Sequence, residues 1–548
     1  MKRDLLPLEQ FYYFEKERAQ EIFMKQPFDN EWKNYTWYEV GQEARKMAQA
    51  LQKLNLPEKS CIALLSKNCA HWIIADLAIW MAGHISVPLY PTLSANSIKE
   101  ILNHSNAKLV FAGKLDDWKL QKEGIASEIP KICFPFWKNE NCISWNAFVS
   151  NATPLKENIL RDKDDIATII YTSGTTGKPK GVVHSFESIS FPMIEAVKVL
   201  KISTDDNFLS YLPLSHIAER LLIQLGGIYT GGTISFVESL DTFAKNLRET
   251  NPTIFLAVPR IWTKFQLGIL EKIPQKKLNI LLSIPILNSI VKNKIKKQLG
   301  LMNVRIPVTG AAPIAKETLI WFKKIGIEIQ EVYGMTENFG FATYNFPGKI
   351  KYGTVGCAWQ HSEIKIGDNK EILTRSKATM KGYYKEPELT NDILTQDGWL
   401  RTGDQGELTQ DGYLKLVGRV KDLFKTAKGK YVAPSPIENH LSKSDLIEQV
   451  CVMGEGIPQP IGVVLLSAIA KAKKQDELIA ELSLLLMEVN NRIESYEHLK
   501  TIVVLSEDWN IENGLMTPTM KIKRPEIEKK YSFNLEKWYG SKTKIIFV

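Results

Sequence analysis

One short segment of this chain, YTSGTTGKPKG at residues 171–181, combines glycines, hydroxyl side chains and two lysines. It directly follows the apolar stretch 166–170, which predicts a buried strand before the loop. Glycines at 174, 177 and 181 allow backbone N–H groups to turn toward an anion, because no side chain obstructs them. We therefore predict a phosphate-binding loop, whose candidate ligands are Thr172, Ser173, Gly174, Thr175, Thr176, Gly177 and Lys178.

The spacing within this loop differs from that of the P-loop in kinases and GTPases. Only two residues separate Gly174 from Gly177, and Pro179 follows Lys178 where a P-loop has Ser or Thr. A mobile surface loop is the plainer interpretation of such a cluster, but the apolar Val182 after it favours a loop between two core segments. We expect a phosphate loop of another type.

The composition is typical of a globular protein with more than one domain. The chain has 548 residues, of which 44% are hydrophobic and 24% are charged, and single cores stop growing well below this length. The net charge of +9 suits anionic small molecules or a membrane surface. The sequence has no zinc-finger spacing and no aromatic-rich RNA motif, so we expect no nucleic-acid partner.

The cysteines and the amino terminus predict a cytoplasmic location. The six cysteines form no CxxC pair, which favours a reducing compartment and indicates neither a metal site nor a disulfide framework. The first residues are charged and then interrupted by Pro7, unlike a secretory signal. The longest apolar stretch, residues 72–90, contains Asp76, His84 and Pro88, so we expect buried helix and strand rather than a membrane span.

Helical and strand patterns alternate along the chain, which is typical of parallel strands covered by helices. Strands are predicted at 61–65, 85–89, 108–111, 207–211, 233–237 and 254–257, and helices at 38–54, 70–82, 97–105, 217–227 and 243–249. Near residue 418 the segments become short and basic, with Gly and Pro between them. The predicted fold class is α/β: a large N-terminal body of several subdomains with parallel sheets (1–418), followed by a small mobile C-terminal α/β domain (419–548).

The segment 274–301 is apolar and flanked by lysines, and it allows two interpretations. One is a surface helix that leans on the inner face of a membrane, and the other is a partly buried helix with a solvated basic end. The sequence favours the partly buried helix and leaves peripheral membrane contact as the alternative.

The phosphate-loop segment is one of six short segments whose residues are suited to binding or catalysis. They are YTSGTTGKPKG at 171, GAAP at 310, YGMTE at 333, RTGD at 401, GRVKD at 418 and TPTMKIKR at 517. Together these segments resemble the motifs of adenylate-forming enzymes, which include acyl-CoA synthetases, luciferases and peptide-synthetase adenylation domains. The resemblance spans essentially the whole chain, with every motif present and in order. It implies a reaction in which a carboxylate attacks the α-phosphate of ATP and pyrophosphate leaves, so two anions must be brought together.

The resemblance also implies where the nucleotide binds. A tight turn would place adenine against the backbone, with the aromatic face of Tyr333 stacked on it. Asp404 resembles the ligand of the ribose hydroxyls, and Arg419 lies near the same ribose in relatives. Taken singly, these residues are equally typical of turns and solvated surfaces. The implied nucleotide contacts are Gly310, Ala311, Ala312, Pro313, Glu331, Val332, Tyr333, Gly334, Met335, Asp404 and Arg419.

Catalytic roles follow from the same resemblance. Thr336 is expected to donate to the α-phosphate, and Glu337 to hold Mg²⁺ with the hydroxyl of Thr175. Lys521 matches the lysine that bridges the carboxylate and the α-phosphate in the transition state. Thr519 and Met520 precede it where Ser-Gly is the commoner form, and Lys523 is close enough to be an alternative.

Two half-reactions at one site imply two arrangements of the smaller domain. Lys421 occupies the position that the family uses as a hinge, although an ordinary linker lysine is also compatible with the sequence. Lys425 is expected to contact the adenylate in one arrangement. Gly429 lies in the loop that would approach the pantetheine channel in the other.

Two segments, YLPLSHIAER at 211 and PTIFLAVPRIW at 252, resemble long-chain acyl-CoA synthetases more than activators of acetate, aryl acids or amino acids. His216 falls where relatives place a residue beside the carboxylate and acyl channel, although a lone histidine also suits a core. We predict a long- or medium-chain fatty acid–CoA ligase that uses ATP, Mg²⁺ and CoA, as a monomer or homodimer. The alternatives are an acyl-AMP ligase serving a carrier protein, a luciferase-like oxygenase and a binding protein without catalysis.

Overall fold

The computed structural model describes residues 5–137, 141–173, 179–510, 513–517 and 521–548, and of Ser173 only the backbone. The predicted phosphate ligands Gly174, Thr175, Thr176, Gly177 and Lys178 therefore lie outside the described residues, as do Thr519 and Met520.

One sheet of the N-terminal body leads into the phosphate loop. Its strands, in spatial order, are Gly382–Tyr383, Pro179–Ser185, Ile166–Ser173, Ile85–Leu89, Cys61–Leu65, Leu109–Ala112, Lys131–Cys133 and Ile143–Ser144. Neighbours from Ile166–Ser173 onward are parallel, whereas Pro179–Ser185 is antiparallel to Ile166–Ser173. Cys61–Leu65 and Ile85–Leu89 are buried throughout, which explains why continuous apolar runs predicted them.

A second sheet packs beside the first across shared helices. In spatial order it contains Cys357–Ala358, Thr343–Tyr344, Gln330–Tyr333, Ile306–Thr309, Ile254–Ala257, Asn207–Ser210, Thr233–Phe236, Ile22–Phe28 and Glu31–Thr36. The strands from Gln330–Tyr333 to Ile22–Phe28 are parallel. Every residue of the helix Ala70–Met81 is buried. This burial is expected, because apolar residues occur on all sides of the helix.

A third, antiparallel sheet has no counterpart in the sequence-based prediction. It consists of Glu363–Ile366, Glu371–Arg375, Leu400–Leu408 and Leu414–Arg419. Its strands are partly exposed and rich in polar residues, so they lack the apolar runs that identified the other strands. This sheet places Asp404 directly opposite Arg419.

The helices of the body largely follow the predicted pattern. They are Pro7–Glu17, Trp37–Gln52, Ala70–Met81, Ala95–Ser105, Trp118–Gln121, Trp145–Phe148, Phe186–Leu200, Ile217–Glu219, Gly226–Thr230, Phe243–Thr250, Pro259–Lys272, Gln275–Ser283, Pro285–Leu299, Lys316–Lys324 and Pro387–Ile393. The helix predicted at 217–227 includes a π-helical stretch, Arg220–Leu225, where the buried Arg220 guanidinium pairs with Asp76. The segment 274–301 forms two helices, because the residue before Pro285 is extended. Among the described helices, none is long and apolar enough to cross a bilayer.

The C-terminal unit has its own sheet and hydrophobic core. The sheet contains Ile447–Met453, Ile461–Leu466, Ile502–Leu505 and Ile545–Phe547. A small pair of strands, Phe424–Lys425 and Tyr431–Val432, precedes it. Its helices are Pro434–Leu441, Ala468–Lys471, Gln475–Asn490, Arg524–Tyr531 and Leu535–Tyr539. The structure thus has the predicted α/β class, with a large body and a smaller C-terminal unit.

Candidate active site

The site begins at the ends of two parallel strands, Ile306–Thr309 and Gln330–Tyr333. The first strand leads into the turn 310–313. At Gly310 a Cβ atom would lie 2.6 Å from Val332 Cγ2, so a larger residue would push the two strand ends apart. Ala311 adopts a left-handed φ of 67°, and Ala312 and Pro313 are exposed. The turn thus presents accessible backbone at the carboxyl edge of the sheet, where open α/β sheets bind ligands.

Three polar side chains meet beside this turn. The Tyr333 hydroxyl donates to Asp404 Oδ2 over 2.8 Å, and Arg419 Nε donates to Asp404 Oδ1 over 3.1 Å. Burial raises the pKa of Tyr333 well above its usual value, so the phenol stays a hydrogen-bond donor. Asp404 is mostly buried, whereas the Arg419 side chain is 59% exposed. The carboxylate of Asp404 is thus held in a fixed orientation by two donors.

Glu337 lies in a short 3-10 turn, Thr336–Asn338, just after the second strand. Its Oε1 accepts a hydrogen bond of 2.7 Å from the Tyr383 hydroxyl. Burial raises the pKa of Glu337 above its usual value, and the Tyr383 hydrogen bond and the charges of Lys180 and Arg419 offset this only in part. A carboxylate at this position is a candidate ligand for Mg²⁺, which takes one or two carboxylates together with phosphate oxygens.

A buried histidine connects this turn to the strand that follows the phosphate loop. His184 Nε2 lies 2.7 Å from the carbonyl oxygen of Thr336, and Nδ1 lies 3.0 Å from Ser188 Oγ. Burial lowers the pKa of His184 to about 4, so the ring is neutral at pH 7 and its Nε2–H donates to the carbonyl. Sequence reasoning did not single out His184, because nothing in a lone histidine signals this contact.

Lys521 enters the same site from the C-terminal unit. Its backbone is fixed by Thr517, whose N–H donates to the Lys521 carbonyl over 2.7 Å, and whose Oγ1 accepts from Lys521 N over 3.1 Å. Burial and, to a smaller extent, the charge of Arg419 lower the pKa of Lys521 to about 8, against the opposing effect of Asp404. These electrostatic influences show that the Lys521 ammonium group lies near Arg419 and Asp404. Lys523, the alternative, instead precedes the helix Arg524–Tyr531.

His216 faces Lys521 from the body. Its Nδ1 accepts a hydrogen bond from Ala218 N over 3.2 Å, at the start of a short helix. Burial and the charge of Lys521 lower its pKa to about 3, so the imidazole is neutral. The loop before His216 is anchored by the buried Glu219, whose Oε1 accepts from Tyr211 N over 2.9 Å. The sequence did not predict this anchoring role for Glu219, although Glu219 belongs to the segment YLPLSHIAER.

Three other predicted residues lie in the first part of the C-terminal unit. Lys421 and Lys425 are exposed, and Lys425 Nζ lies 5.8 Å from the ring centre of Tyr431. Gly429 occupies the turn between the two short strands, with a left-handed φ of 76°. Glu331 is buried, and burial raises its pKa to about 8.

Residues next to the candidate site hold its loops and turns in place through backbone contacts. Thr172 pairs with Lys180 across the two strands that flank the phosphate loop. Met335 N donates to Asn338 Oδ1 over 2.8 Å. A Cβ atom at Gly334 would lie 2.4 Å from the backbone of Gly340, so the turn that carries Glu337 requires glycine there.

An ion pair joins the C-terminal unit to the body, and a buried arginine forms further ion pairs within the C-terminal unit. Arg260 Nη2 lies 2.6 Å from Glu448 Oε1, across the two units. Within the C-terminal unit, Arg524 Nη2 lies 2.5 Å from Glu438 Oε1 and Arg524 Nε lies 3.7 Å from Asp422 Oδ2. The Arg260–Glu448 ion pair thus joins the C-terminal unit to the body in the arrangement in which Lys521 lies near Arg419 and Asp404.

Residues 14–384 match the family described as AMP-binding enzyme, and residues 421–543 match the AMP-binding enzyme C-terminal domain. The chain is 30% identical over 549 residues to long-chain-fatty-acid–CoA ligase 5 of Rattus norvegicus, covering 88% of this chain and 80% of the relative. It is 33% identical over 427 residues to the putative fatty-acid–CoA ligase fadD11 of Mycobacterium tuberculosis, covering 69% and 74%. A crystal structure of the anthranilate CoA ligase AuaEII with anthranoyl-AMP superposes with a TM-score of 0.81 at 21% identity, covering 97% of this chain and 98% of that one.

Proposed function

The chain belongs to the AMP-binding enzyme family and is an AMP-forming acid–thiol ligase, and from this premise we propose that it joins a long-chain fatty acid to coenzyme A. The names of the relatives support the choice of acid and thiol. One observation carries the proposed chemistry: the ammonium of Lys521 lies near Asp404, Arg419 and His216, although it comes from a separate unit.

In the first half-reaction, a carboxylate oxygen of the acid attacks the α-phosphorus of ATP, and the bond to pyrophosphate breaks. Asp404, oriented by Tyr333 and Arg419, would accept from the ribose hydroxyls. Lys521 would lie between the two anions and offset the negative charge that builds in the transition state. The buried surroundings of Lys521 strengthen this effect, because electrostatic interactions are weakly screened there.

Mg²⁺ fits the carboxylate of Glu337, which faces the basic side of the site. The ion would screen the triphosphate oxygens and polarise the α-phosphate. Among the described residues, no group of three or more His, Cys, Asp or Glu could hold a metal by itself. The predicted ligand Thr175 lies outside the described residues.

In the second half-reaction, the thiol of CoA attacks the acyl carbonyl, a thioester bond forms and AMP leaves. We propose that the domain boundary lies at 418/419 and that the smaller domain turns about Lys421 between the two steps. Lys425 and Gly429, which are exposed in the present arrangement, would then approach the site. His216 would border the acyl carboxylate in both steps.

The test is exchange of labelled pyrophosphate into ATP, measured with acids from acetate to stearate, followed by product analysis with and without CoA. We expect exchange with the longer acids alone and a CoA thioester only when CoA is present. Exchange without any CoA product would indicate a ligase that serves a carrier protein. No exchange with any acid would overturn the proposed activity.

A further inference from the structure

A pair of helices projects from the body immediately after the helix Pro259–Lys272. The pair consists of Gln275–Ser283 and Pro285–Leu299. Leu278 and Ile295 are buried in the hydrophobic core beneath it, and Gln275 Oε1 accepts a hydrogen bond of 2.8 Å from Trp321 Nε1. One side of the pair is therefore firmly attached to the body.

The same pair carries four exposed isoleucines, which we call the isoleucine face. The exposed fractions are 62% for Ile280, 42% for Ile284, 78% for Ile286 and 56% for Ile290. Ile286 and Ile290 are four residues apart in one helix, so they lie on the same side of it. Four large aliphatic side chains exposed on one pair of helices suggest an interaction surface, because large exposed apolar patches are uncommon on soluble monomers.

The charged side chains of this segment are all positive. Residues 274–301 contain six lysines and neither Asp nor Glu. Lys276, Lys277, Lys294 and Lys297 are exposed. An amphipathic surface with aliphatic residues and lysines matches anionic phospholipid, in which the side chains enter the acyl boundary and the lysines meet phosphate.

The same composition disfavours a protein partner. Protein–protein interfaces are enriched in aromatic residues and Arg and depleted in Lys, whereas residues 274–301 contain no Phe, Tyr, Trp or Arg. We propose that the isoleucine face docks on an anionic phospholipid bilayer. This inference concerns a surface apart from the catalytic residues and does not depend on which acid is activated.

The experiment is co-sedimentation of the full chain with vesicles of phosphatidylcholine alone or of phosphatidylcholine with phosphatidylglycerol. The chain should bind the anionic vesicles and lose binding as salt rises. The double variant I286S/I290S should weaken binding at least tenfold, and K294Q/K297Q should weaken it several-fold and reduce the salt dependence. Pyrophosphate exchange with a soluble acid, measured without lipid, should be unchanged in both variants.

Matched controls replace equally exposed residues elsewhere. L484S/M487S changes apolar residues on the helix Gln475–Asn490, and K99Q/K119Q changes distant lysines. Both should bind vesicles as the parent chain does. Unchanged vesicle binding by both helix-pair variants would overturn the proposal. So would an isoleucine variant that alters self-association in lipid-free buffer while leaving vesicle binding intact, because the face would then join copies of the chain.

Discussion

The rate of adenylate formation should fall as the pH rises through about 8, because burial lowers the pKa of Lys521 to about 8. The proposed role needs the charged ammonium form, which is present below this pKa and is lost above it. About nine-tenths of the molecules would carry this charge at about pH 7 and only about one-tenth at about pH 9. The value of kcat/KM should therefore fall about tenfold per pH unit above the inflection.

The measurement is kcat/KM for pyrophosphate exchange between about pH 6.5 and about pH 9.5, since this parameter reports the pKa values of the free enzyme. Lys521→Ala should lower the rate about 100-fold or more, by analogy with the loss of one transition-state donor. Thioester formation from a supplied acyl-adenylate should be much less affected. Lys521→Arg should remove the inflection from whatever rate remains, because its guanidinium stays charged throughout this range.

Lys523→Ala is the matched control, since it removes a neighbouring lysine of the same segment. It should keep both the rate and the inflection near pH 8. An inflection that persists in Lys521→Arg, or that disappears in Lys523→Ala, would refute the assignment of the catalytic charge to Lys521.

Three further outcomes test the surrounding geometry. Asp404→Asn should weaken AMP binding, measured by calorimetry, about 10- to 100-fold, because hydrogen bonds to a charged group contribute about 1.5–3 kcal/mol; unaltered affinity would remove Asp404 from the ribose site. Glu337→Gln should raise the Mg²⁺ concentration for half-maximal exchange about tenfold, and an unchanged requirement would contradict its role as ligand. Because burial lowers the pKa of His184 to about 4, the unfolded chain binds the extra proton first as the pH falls below about 6.5, so stability should decline between about pH 6.5 and 4 by about 3 kcal/mol. His184→Gln should remove that part of the decline in urea unfolding, and an identical pH dependence would exclude this contribution.

Continuous apolar runs made most of the parallel strands predictable. The predicted strands at 61–65, 85–89 and 254–257 match the observed bounds, because buried strands need apolar residues on both faces. The third sheet was missed because RTGDQGEL has polar residues on an exposed face. Consequently the motifs identified Asp404 and Arg419, but not their pairing across two strands.

The candidate active site, like the fold, was only partly predictable from the sequence. Motifs place Tyr333, Glu337 and Lys521 in one region because the resemblance covers the whole chain. The supporting contacts of His184 and Tyr383 depend on how distant segments pack, and a single sequence carries no signal for that. The family and the fold class are confirmed, while the roles of the individual residues and the domain boundary stay predictions.

The contacts of Arg524 limit which backbone residues could act as a hinge between the body and the smaller domain. Arg524 forms ion pairs with both Glu438 and Asp422, so Asp422 would move together with the smaller domain. Arg419, the first residue after the proposed boundary, is in contrast held to the body by its strand pairing and by Asp404. Val420 and Lys421 lie between these two sets of contacts, so the torsion angles of this two-residue link would have to absorb the proposed reorientation.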